Sequence, residues 1–163
     1  MKLNNSEESV YRMVHYSQRE RRKGKEPRLD AFKPTPADDS KLSVDYEPKT
    51  TPEESLARFG ATISISSGEF KNPHDYSVYS LNIGFLRSFT CIIDIYLDEV
   101  LVSPPERGRP DNPAHSLVEF DEIAEEDEPD ILYRIQQHAI MRKVEANPAQ
   151  VDELTMRYRR IWD

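Results

Sequence analysis

Apolar and polar residues alternate in "VYRMVH", Val10 to His15, and a period of two marks a strand with one buried face. As a strand the segment puts Arg12 on one face and His15 on the other. "KLSVDY" alternates again, Leu42 and Val44 against Ser43 and Asp45. "TTPEESLARFG" predicts a short helix: Thr51 as N-cap, Pro52 at the first helical position, Glu54 completing a capping box, Gly60 as the stop. "ATISISS" predicts a further strand with Ile63 and Ile65 aligned, and "GEFKNPHD" a loop. "YSVYSLNI" reads as a strand and "GFLRSF" as a turn or single helical turn, with a helix over Val78 to Phe89 as the competing reading. "TCIIDIYLDEVLV" predicts a longer strand with Ile93, Ile95 and Leu97 on one side. "SPPERGRPDNP" must be loop, because proline removes ladder donors, and "HSLVEF" is a short strand.

Past the acidic run the spacing changes from two to three and four. Pro129 opens a helix with a stripe of Leu132, Ile135, Ala139 and Ile140 that ends near Ala146. Asn147, Pro148 and Gln150 repeat the cap pattern, and Val151, Leu154, Tyr158 and Trp162 carry the stripe to the end. Early strands followed by helices predict an α+β fold with a mainly antiparallel sheet, a short capped helix after the second strand, and a C-terminal helical hairpin. The organisation expected is a disordered N-terminus over residues 1–9, an α+β core over 10–120, and an acidic linker with the hairpin over 121–163, packed on the core.

Composition narrows the class. The 163 residues suit one domain, and 12 prolines against 5 glycines, with 32% charged residues, point to a modest core with long loops. No apolar run reaches the length that crosses a bilayer and the first residues lack a secretory h-region, so the expectation is a cytoplasmic protein with no membrane partner. The net charge of −8 disfavours nucleic acid. That charge is segregated: Arg19 to Arg28 holds six basic and two acidic residues, and Glu119 to Asp130 eight acidic and none basic. Opposite blocks can dock on each other or on separate partners, which makes Arg21, Arg22 and Lys23 candidate binding residues. Tyr158 and Trp162 join them as aromatics that would anchor the hairpin to the body or to a second copy.

Chemistry is sparse. The four histidines, His15, His74, His115 and His138, have no spacing that puts two ligands on one face, so no metal is expected. His115 stands out as a candidate binding residue, because Asn112 and Pro113 fix a turn that delivers it at the mouth of a strand, with stabilisation of that turn as the leading reading. Cys91, the single cysteine, lies in an apolar run and reads as an inert thiol. Phosphate-binding glycine loops and a nucleophile elbow are absent.

"VYRMVH", "DAFKP", "KLSVD", "TTPEESLARF" and "DNPAHSLV" together resemble a pattern found in small bacterial proteins, YRxxH, AFKP, LSVD and NPAH, which carries no function to transfer. The chain also resembles, more faintly, RES-domain toxins and other ADP-ribosyltransferase-type folds. That resemblance implies a first-strand arginine or histidine gripping NAD, a small polar residue from the next strand, and a carboxylate orienting the nicotinamide ribose. Arg12 or His15, Ser43 and Glu54 are the matching positions. "DAFKP" stands where the RES pattern has a glycine-rich segment, and the capping box already accounts for Glu54. The leading expectation is therefore a non-enzymatic interaction module without cofactor, an accessory subunit of a bacterial multi-protein system that binds a protein partner or a second copy. The alternative is an NAD-consuming enzyme, either a glycohydrolase or ADP-ribosyltransferase-like, with NAD as substrate.

Overall fold

A computed structural model describes residues 1–18, 26–34 and 40–160. The chain forms an α+β fold on a six-stranded antiparallel sheet with strand order β4-β5-β2-β1-β3-β6. The strands are β1 (Ser9–His15), β2 (Lys41–Tyr46), β3 (Tyr76–Asn82), β4 (Ile92–Leu97), β5 (His115–Phe120) and β6 (Lys143–Val144), and the helices are α1 (Pro52–Gly60), α2 (Ile83–Arg87), α3 (Glu128–Ile140) and α4 (Pro148–Arg160). "VYRMVH" is a central strand.

Alternation along β1 sends side chains into two cores. Val10 and Val14 join Leu42, Val44, Tyr79, Leu81 and Val118 on one face, closed by Phe32, α2, and Ile135 and Ala139 of α3. Tyr11 and Met13 join Val78 on the other face, closed by Leu56 of α1 and Val151 of α4. Burying one large aliphatic side chain contributes roughly 1.5–3 kcal/mol, so both layers hold the sheet. The N-cap forms as its spacing predicts: the Thr51 hydroxyl accepts from the Glu54 N–H at 3.1 Å and lies 3.3 Å from Glu54 Oε1. Likewise Asn82, ending β3, accepts from the Phe85 N–H at 2.8 Å and starts the single helical turn of α2, which disposes of a helix over Val78 to Phe89.

Four expectations need correction. The first nine residues, expected to be disordered, are placed by the sheet: Met1 to Leu3 lie along the edge strand β4, and Ser9 already opens β1 opposite Asn82. Leu3 is buried, its N–H donates to Ile95 O at 2.8 Å, and the Leu97 N–H donates to Met1 O at 2.8 Å. Pairing with β4 satisfies backbone groups that the sheet edge would otherwise expose. "ATISISS" is a turn rather than a strand, with Ile65 wholly exposed and only an isolated bridge from Ile63 to Phe70. In β4 a bulge between Ile92 and Asp94 shifts the alternation, so that Ile92 and Ile95 are buried and Ile93 faces solvent. The terminal helices do not pack on each other as a hairpin. Met141 ends α3, β6 pairs with β3 along the sheet edge, and α4 then crosses to pack on α1 on the opposite face. The segment 121–160 thereby closes both cores. Close approach of α4 to α1 is set at Gly60, where an added Cβ would come within 2.7 Å of Thr155 Cγ2.

His138, half-buried on α3, stacks on Phe85 with ring centroids 3.9 Å apart, and its Nε2 accepts the Asn82 N–H at 3.1 Å. Burial first, and then the Arg142 charge, lower its pKa from 6.5 to about 4. The unfolded chain takes up this proton first, so folding stability is lost as pH falls from about 6.5 to about 4. Thermal melts at pH 7 and pH 4.5 should show a smaller acid-induced drop in His138→Gln than in the wild type, and equal drops would remove His138 as a source of acid sensitivity.

Candidate functional site

The sheet is nearly divided between β1 and β2. These strands pair only at Val10 with Tyr46 and Tyr11 with Asp45, after which β1 follows β3 and β2 follows β5. Arg12 is the first residue past the last pair. Its Nε donates to Ala31 O at 3.0 Å and its Nη1 to Ser43 O at 3.1 Å, so the guanidinium occupies the place of the missing ladder. The divergence opens a cleft of about 240 Å³ whose lining includes Arg12, Ser43, Asp45, Arg58, Asn112 and His115.

Asp45 holds one wall together. Its carboxylate is buried and accepts from Ser55 Oγ at 2.7 Å, Arg58 Nη2 at 3.3 Å and Asn112 Nδ2 at 2.8 Å. Arg58 Nη2 also donates to Thr50 Oγ1 at 2.6 Å, while Arg58 Nε is buried with no partner. Asn112 in turn ties the proline-rich loop to the sheet: its Oδ1 accepts from the Ala114 N–H at 3.1 Å, and its backbone exchanges two hydrogen bonds with Val100. The loop reaches across to the end of α1, where the Ile63 N–H donates to Gly108 O at 3.0 Å. Gly108 is required there, with φ of +80° and Ile63 too close for any Cβ.

His115 starts β5 from this turn, as the asparagine and proline before it predict. Its Nδ1 lies 2.9 Å from Asp98 O and 3.3 Å from Asp98 Oδ2, and its Nε2 lies 3.4 Å from Ser43 Oγ. Ser43 and His115 share a sheet face through the register that pairs Ser43 with Leu117 and Asp45 with His115. Glu119 lies on the same face of β5, paired with Lys41.

Three of the candidate residues therefore meet: Arg12, Ser43 and His115. His15 does not. It ends β1 against Tyr16 and Tyr76, with Nδ1 2.9 Å from Ser17 Oγ. Glu54 lines an adjoining pocket of about 320 Å³ that shares Arg58 and Pro110 with the cleft. Tyr158 lines that pocket too, half-buried, its hydroxyl pKa raised by burial first and then by Glu54. Arg21, Arg22, Lys23 and Trp162 lie outside the described residues. Asp45 and Arg58, which line the cleft, and Asp98, which adjoins His115, were not brought forward as site residues by the pattern of the chain: Asp45 sits at a polar position of an alternating strand, which reads as solvated until α1 is known to cover it.

Elsewhere, Glu122, Glu125, Glu126, Asp127 and Asp130 of the acidic run are exposed, and Lys33 pairs with Glu128 at 2.8 Å. Cys91 is half-buried, and burial raises its thiol pKa. Among the described residues no three His, Cys, Asp or Glu side chains are grouped to hold a metal ion, and no helix is long and apolar enough to cross a membrane. No protein-family model, curated protein or solved structure matches the chain.

The Asp45 network should be the stability centre of the site. Removing one member of a buried charge pair leaves the other without a counter-charge and costs about 3–5 kcal/mol. Asp45→Ala should lower the urea midpoint accordingly, whereas Asp98→Ala, at a half-exposed position, should move it by less than about 1 kcal/mol. Equal shifts for the two variants would contradict this assignment.

Proposed function

We propose that the cleft binds NAD and that the chain is an NAD-consuming enzyme of the glycohydrolase or ADP-ribosyltransferase kind. One observation carries the reading: an arginine from the first strand and a serine from the second, far apart in sequence, converge on a single cleft with His115. Arg12 and Arg58 both line the cleft, so a chain of net charge −8 brings two guanidinium groups to one site, with Asp45 3.3 Å and Glu54 4.0 Å from Arg58. A guanidinium fixed by backbone carbonyls suits a diphosphate, because its geometry is set before the ligand arrives. The adjoining pocket extends the site toward Glu54, a carboxylate of the kind that stabilises a cationic ribosyl transition state.

Purified protein should release nicotinamide from NAD. Arg12→Ala should reduce release by about 10²-fold or more, the scale of a lost transition-state contact. Because Arg12 also bonds Ala31 O and Ser43 O, its melting temperature is measured alongside, with Arg12→Lys as a milder variant that keeps the charge. Wild-type protein that releases no nicotinamide and shows no NAD-induced shift of the His115 ring resonances would sink the reading.

The segregated charge favours a second reading, an interaction module that associates with a basic partner or with a second copy of itself as an accessory subunit of a bacterial assembly. Its observation is the exposed acidic run beside α3. In both readings the chain works in the cytoplasm, where a single half-buried cysteine stays reduced. If Arg21, Arg22 and Lys23 dock on the acidic run of a second copy, sedimentation at low salt shows a dimer that dissociates at about 0.5 M salt. Charge reversal at those three positions should abolish the dimer, and a wild type that is monomeric at every salt concentration rejects self-association.

A further inference from the structure

His115 is held in one tautomer by its neighbours. Asp98 O, 2.9 Å from Nδ1, can only accept a hydrogen bond, and so can the carboxylate Oδ2 at 3.3 Å. Nδ1 therefore carries the hydrogen, and Nε2 of the neutral ring presents its lone pair toward Ser43 Oγ at 3.4 Å, inside the cleft. A base, its orienting group and a hydroxyl in line are the parts that activate a nucleophile, and such bonds are often long before substrate binds. We propose that His115 is the general base of the cleft and that the nucleophile it activates is a water molecule held by Ser43 Oγ. This rests on the NAD reading. The water oxygen bonds to C1′ of the nicotinamide ribose as the C1′–N bond breaks, and the electron pair of that bond leaves with nicotinamide. One water proton passes to Nε2, the Asp98 carboxylate offsets the imidazolium charge, and the proton is then released to solvent. The products are ADP-ribose, nicotinamide and one proton, and no further reactant is consumed.

The test uses full-length protein with NAD as the probe. His115→Ala should lower kcat for nicotinamide release by about 10²-fold or more, the usual contribution of a positioned base. KM and the melting temperature should change little, and added imidazole should restore part of kcat, which a structural role would not allow. Undiminished kcat in His115→Ala, or a loss that imidazole does not relieve, overturns the assignment of His115 alone. A wild-type chain that releases no nicotinamide overturns this inference, and if NAD also leaves the His115 ring resonances unshifted the NAD reading falls with it.

Discussion

The buried carboxylate of Asp45 is the constraint on which the architecture turns. It sits at the last register pair between β1 and β2 and at the first pair between β2 and β5. It also receives α1 through Ser55 and Arg58, and the proline-rich loop through Asn112. An ion excluded from water is tolerated only when its oxygens are fully engaged, and three donors from two different elements supply that engagement. The helix and the loop are thus bound to the point where the sheet divides. A cleft opens there because the backbone on one side is committed to β3 and on the other to β5, and Arg12 makes the division tolerable by taking a carbonyl that a full ladder would have used.

Much of this was legible in the order of residues, because the legible parts depend on local chemistry. The N-cap of α1, the alternation in β1, β2, β3 and β5, and the asparagine–proline turn before His115 each follow from interactions over a few positions. That Arg12, Ser43 and His115 line one cleft follows from the sheet register, which no local pattern carries: the asparagine–proline turn singled out His115 by itself, and His15, grouped with Arg12 as an alternative, turns toward Tyr76. What was not legible depends on long-range pairing. Leu3 is ordered by β4, more than ninety residues away, and nothing near it in the chain announces that. The bulge in β4 cannot be seen in "CIIDIYL", since every residue there suits a strand and only the partner strand decides which isoleucine is buried. The supposed hairpin failed for a related reason. Two amphipathic helices with a short link predict mutual packing, yet the link contains Lys143 and Val144, which add a strand to the sheet edge and send α4 to the other face.

Charged groups in the acidic run and in the cleft differ in how they are held. Exposed carboxylates in the acidic run keep their hydration and contribute little specificity one by one. Arg12 and Arg58 are fixed by hydrogen bonds in a partly enclosed space, where field lines are less screened and an anionic ligand gains more from each contact. Arg58 goes further, since its Nε–H is buried without an acceptor. A donor left so costs about 1–3 kcal/mol, a cost borne here in the wall shared by the cleft and the adjoining pocket.

The same economy of parts separates the environments of His115 and His138. Both rings have one nitrogen engaged with the backbone, but the sense of the bond differs. At His138 the Asn82 N–H donates to Nε2, which occupies the lone pair, and stacking on Phe85 encloses the ring. At His115 the backbone partner is a carbonyl, which takes the hydrogen and leaves the lone pair on the nitrogen that faces Ser43 and the cleft. A donor to the ring occupies its lone pair, whereas an acceptor beside the ring leaves the lone pair on its far nitrogen. The position of His115 at the start of β5, set by Asn112 and through it by Asp45, therefore ties the direction in which its far nitrogen faces to the same network that divides the sheet.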